Sequence, residues 1–216
     1  ESYGKLFAFL ARRTGDVAAA EDALGDAFAA ALAEWPVSGV PNVPEAWLVT
    51  VARRRFLDRV RRREVAEANS GALRLLADEL QEGATADTAR PDSRLALMFA
   101  CAHPALDPAI RAPLILQTIL GFDAATIASA FLVAPAAMGQ RLVRAKNRIA
   151  QAGIPFRVPE QSELPERLDA VLAAIYATFA EGWVDAAGTD TRRRNLAAEG
   201  IWLGRLIVSL MPGEPE

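Results

Sequence analysis

Apolar residues recur every three or four positions along most of the chain, with no alternating stretch of useful length, and this period predicts helices rather than strands. Residues 2–13 read as a short helix broken by Thr14-Gly15, and Asp16 is a good N-cap for a second helix that runs to Trp35 and is expected to stop at Pro36. The apolar stripe of that helix is Ala20, Leu24, Ala27, Phe28, Ala31, Leu32 and Trp35, whereas Glu21, Asp22, Gly25 and Asp26 share another face. After a Pro/Gly loop, Pro44 opens a helix to about Glu64 in which Leu48, Ala52, Phe56 and Val60 are expected in the core.

The pattern weakens from Val65 to Ser93, where acidic, Gly and Pro residues predict a linker with at most one helical stretch near Leu73 to Leu80. It resumes at Arg94 to Cys101, then from the cap Asp107 and Pro108 to Leu120, ended by Gly121. Asp123 caps a short helix ending near Phe131, a turn follows at 132–134, and Pro135 opens a longer helix to about Ala152. Leu164 to Glu181 and about Arg192 to Leu210 form a last helical pair around a turn-rich segment, 184–190. The fold class is therefore all-α: two small helical domains (1–64 and 93–157) joined by a linker (65–92), and a C-terminal helical hairpin (158–216) expected to be the start of a longer extension.

Composition supports a globular helical chain, with 52% hydrophobic residues led by Ala, against 24% charged ones. One cysteine, Cys101, and one histidine, His103, leave no parts for an intrachain disulfide, a multi-cysteine zinc site or a Ser/His/Asp triad. Both are read as packing and turn residues; no metal, no cofactor and no enzymatic role is expected. No apolar run reaches the length of a membrane span and no signal pattern opens the chain, so a cytoplasmic protein is expected.

The net charge of -3 conceals two basic patches. The helix opened by Pro44 carries Arg53, Arg54, Arg55, Arg59, Arg61, Arg62 and Arg63 against Glu45, Asp58 and Glu64. From Ala124 to Val158 no Asp or Glu occurs, yet Arg141, Arg144, Lys146, Arg148 and Arg157 do. Either patch alone reads equally as a solvated face, and the acidic face of the second helix as the wet side of an amphipathic helix. Two helices across a tight turn also make a helix-turn-helix, whose second helix presents Gln140, Arg141 and Arg144 to base edges while Lys146 and Arg148 hold phosphates.

Taken in order, Gly15-Asp16, Ala20-Glu21-Asp22-Ala23, Ala46-Trp47-Leu48, Val51-Ala52-Arg53, Arg61-Arg62-Arg63 and the segment Arg141-Leu142-Val143-Arg144-Ala145-Lys146 resemble an extracytoplasmic-function (ECF) sigma factor of the sigma-70 family over residues 1 to about 157. The resemblance implies a region-2 domain whose Glu21, Asp22 and Asp26 dock on the β′ clamp helices of core RNA polymerase, with the β flap as a further contact. It implies that Arg54, Arg55, Arg59, Arg61 and Arg62 meet the backbone of the downstream (minus-ten) promoter element while Trp47 packs. Region 4 then reads the upstream (minus-thirty-five) element through Ala136, Ala137, Gln140, Arg141 and Arg144.

Ala102-His103-Pro104-Ala105-Leu106, the segment 153–159 and Leu164-Pro165-Glu166-Arg167-Leu168 resemble a subgroup with a tetratricopeptide-like C-terminal extension that regulates the sigma factor beside, or in place of, an anti-sigma protein. Two positions depart from the family pattern: Gly25 replaces a usual Gln, and Ala134-Pro135 replaces the usual hydroxyl cap. The competing readings are a stand-alone helix-turn-helix regulator, which the acidic helix preceding the basic one disfavours, and a helical interaction module with incidental basic faces.

Overall fold

The computed structural model describes residues 2–66, 93–183 and 191–210, all-helical with no strand among the described residues. Most of the expected linker, its helical stretch at 73–80 and the turn-rich segment 184–190 lie outside them. The helices are α1 (Ser2–Thr14), α2 (Val17–Ser38), α3 (Pro44–Ala66), α4 (Arg94–Cys101), α5 (Pro108–Leu120), α6 (Ala124–Ala130), α7 (Pro135–Gln151), α8 (Pro165–Trp183) and α9 (Thr191–Leu210).

Local chemistry explains most boundaries. Gly15 takes φ +66 and donates its N–H to Ala11, ending α1, and the Asp16 carboxylate accepts from the Ala19 N–H at 3.0 Å to start α2. Asp107 and Asp123 cap α5 and α6 in the same way. α7 opens on Pro135 with no side-chain cap at Ala134.

Pro36 does not stop α2, contrary to the sequence expectation. Proline removes one intrahelical donor, and in an exposed last turn the rest is recovered: Gly39 donates to the Trp35 carbonyl at 2.9 Å and the Ser38 hydroxyl to that of Glu34 at 2.9 Å. Leu32, expected in the core, is 80% exposed: the buried stripe of α2 runs through Ala20, Ala23, Leu24, Ala27 and Ala31, and Leu32 lies outside it. The other core expectations hold: Leu48, Ala52 and Phe56 are buried, and Val60 is partly so.

α1, α2 and α3 pack together, α4 to α7 form a second group, and α8, paired with α9, lies against α5. All eight residues of α4 are buried, including Arg94, and α4 touches α1, α5 and α8. The buried side chains of the three groups form one continuous apolar cluster.

Candidate polymerase-facing and nucleic-acid interfaces

The acidic face lies on α2. Asp22 and Asp26, one turn apart, converge on a single guanidinium: Arg59 of α3 places Nη1 2.8 Å from the Asp22 carboxylate and Nη2 2.8 Å from that of Asp26. Arg59 is thus engaged in bracing α3 against α2, while Arg54, Arg55 and Arg61 are exposed. The Arg62 side chain lies outside the described residues. Glu21, the third acid, pairs with Lys146 of α7.

Sequence reasoning overlooked a basic seam behind these residues. Arg53 is partly buried with its Nε unbonded, and its pKa is lowered by burial and then by the charge of Arg13. Arg13 itself lies over the Phe9 ring at 5.6 Å, and Arg12 donates to the Ser93 hydroxyl at 3.5 Å. The clue was present in the pair Arg12-Arg13 closing α1, but only packing brings it beside α3. At the far end of this unit Trp35 and Trp47 meet edge to face at 5.4 Å, next to exposed Val37, Val40 and Val43.

α6 and α7 are bent by 109° about the turn at 131–134, within the range of helix-turn-helix pairs. Along α7, Met138, Leu142, Ala145 and Ile149 are buried; Ala136, Gln140, Arg141, Arg144 and Arg148 are exposed, with Ala137 half-buried. Arg141, Arg144 and Arg148 line an open cleft of about 470 Å³ against Leu106, Asp107 and Ile110 at the start of α5. Three guanidiniums on one helix face make an anion-holding wall suited to phosphates.

Lys146 does not join that wall. It is 5% exposed and turned toward α2, where it pairs with Glu21. A four-residue step would have kept it with Leu142, and its buried placement follows from that helical register.

Comparison with known proteins agrees with this geometry at the N-terminal end. Residues 1–65 match the family described as Sigma-70 region 2, and residues 167–216 match a family of unknown function (DUF6596). The region-2 match covers α1, α2 and most of α3, the unit that carries Asp22, Asp26 and Arg59. An uncharacterized protein of Rhizobium meliloti (strain 1021) is 42% identical over 201 residues, covering 91% of this chain and 48% of that protein. The chain therefore spans about half the length of this relative. No solved structure matches. Among the described residues no single helix is long and apolar enough to cross a membrane.

Proposed function

We propose that the chain acts as an ECF-type sigma factor that brings core RNA polymerase to specific promoters. The observation that carries this reading is the region-2 match over the helices that hold the acidic face of α2 and the arginines of α3. In this reading Glu21, Asp22 and Asp26 dock on the β′ clamp helices, and the β flap receives the helix-turn-helix unit. Arg54, Arg55, Arg61 and Arg62 hold the downstream element, with Arg59 aligning the acidic pair it bridges. Ala136, Ala137, Gln140, Arg141 and Arg144 read the upstream element, and Arg148 holds phosphate.

The same reading makes residues 158–216 the start of a regulatory helical extension, beside or in place of an anti-sigma protein, and the site of action the cytoplasm. It is supported by the contact of α8 with α5, the helix bordering the arginine cleft.

The test is run-off transcription with core polymerase on a library of promoters, comparing the chain with an Arg141→Ala, Arg144→Ala variant. Promoter-specific transcripts that fall in the variant, while core binding stays constant, are expected. Specific DNA binding by the chain alone, with no capture of core polymerase, would instead make it a stand-alone regulator.

A further inference from the structure

Glu21 is the one member of the acidic face that is joined to the helix-turn-helix unit rather than to α3. Its partner Lys146 is buried, and α7 lies along α2. A docking partner that uses Glu21 together with the exposed Asp22 and the partly exposed Asp26 would have to displace the Lys146 ammonium and move α7 away from α2.

Two further contacts hold the units in that position. α1 crosses α5 so closely that a β-carbon on Gly4 would collide with the carbonyl oxygen of Ile119 and lie 3.4 Å from Cδ of Arg94; the Tyr3 ring rests on Gly121. Arg94 is 2% exposed, pairs with Glu199 of α9, and sits 3.8 Å from the centroid of the Trp202 ring, also on α9. One guanidinium thus stands where the N-terminal unit, α4 and the C-terminal helices meet. A buried guanidinium stripped of its carboxylate is strongly disfavoured, so withdrawal of α9 weakens the floor on which α1 is seated.

We propose that this is a self-masked state: Lys146 ties up Glu21 and holds α7 beside the acidic face of α2, and α9 keeps α7 there through Glu199 and Trp202 on Arg94. The inference rests on the reading of Glu21, Asp22 and Asp26 as the polymerase-facing surface. Displacing α9 opens α7 from α2 and frees Glu21. The region matching DUF6596 thereby becomes the control element of the first unit.

The experiment uses the full chain with spin labels on cysteines introduced at Ser38 and Gln151, two exposed positions outside every proposed interface, together with titration of core polymerase. Buried Cys101 stays unlabelled. The unaltered chain should give one narrow label distance. Trp202→Ala and Lys146→Glu should each broaden and lengthen it and tighten core binding about tenfold, a typical coupling between linked sites. Adding Glu21→Lys to Lys146→Glu should restore the narrow distance, which a mere folding defect would not; this charge swap carries the test if Trp202→Ala fails to fold. Opening without any gain in core binding overturns the mask, as does a distance that neither variant alters. Opening accompanied by no core binding in any form overturns the sigma-factor reading itself.

Discussion

Gly4 of α1 and Ile119 of α5 touch backbone to backbone, leaving no room for a side chain between the first helical unit and the second. Gly4→Val must therefore push the helices apart or distort them. The expected cost is about 1–3 kcal/mol, as for other overpacked sites, read as a lower urea midpoint. An unchanged midpoint would show that α1 and α5 separate freely in solution.

Leu132, in the turn between α6 and α7, adopts φ +53 although it carries a side chain, and it is 95% exposed. A left-handed conformation costs a branched residue free energy that asparagine largely avoids. Leu132→Asn should raise stability by up to about 1 kcal/mol, seen as a higher Tm, and leave DNA affinity unaltered.

Arg54 and Arg55 are free on the surface, whereas Arg59 is held between Asp22 and Asp26. Replacing Arg54 and Arg55 by Ala should flatten the salt dependence of promoter binding by roughly 0.7 to 0.9 per lost phosphate contact. Arg59→Ala should change that slope less and should cost about 0.2–1 kcal/mol of stability, since its ion pairs are partly solvated. A slope flattened by roughly 0.7 to 0.9 in Arg59→Ala, half the change of the double variant, would place Arg59 on DNA.

Burial pushes the Cys101 thiol from its ordinary 9.0 up to about 12, and burial followed by the charge of Glu21 pushes Tyr3 from 10.0 to about 12. Both groups are neutral in the native state and ionise more readily in the unfolded one. Their contribution is therefore fully present below pH 9 and is lost progressively as pH rises toward about 12. Urea midpoints should fall between pH 8.5 and 11, less so in Tyr3→Phe. An aromatic disulfide reagent at pH 8 should leave native Cys101 unmodified and react once the chain is unfolded.

Where the linear pattern sufficed, the reason was local. Asp16, Asp107 and Asp123 cap the helices they were expected to cap, because a side-chain oxygen reaches an N–H two or three residues on without help from elsewhere. The exposed arginine row of α7 and the buried Leu48, Ala52 and Phe56 of α3 likewise follow from helical period alone. The exposure of Leu32 and the passage of α2 through Pro36 did not: the width of the buried stripe is set by the packed neighbours, and an exposed last turn lets Gly39 and Ser38 satisfy the carbonyls of Trp35 and Glu34 past the proline.

By itself, then, the sequence determined the all-α class, the helix starts and the grouping of acids on α2 and arginines on α3 and α7, all consequences of spacing within single helices. Only the tertiary structure decided which charges find each other. Lys146 reads as one more cation of a basic helix until α7 is laid against α2, 125 residues earlier in the chain. Arg94 reads as a helix start until α9, 105 residues later, brings Glu199 and Trp202 to it. Contacts over such separations arise from the packing of whole helices, and no local propensity encodes them.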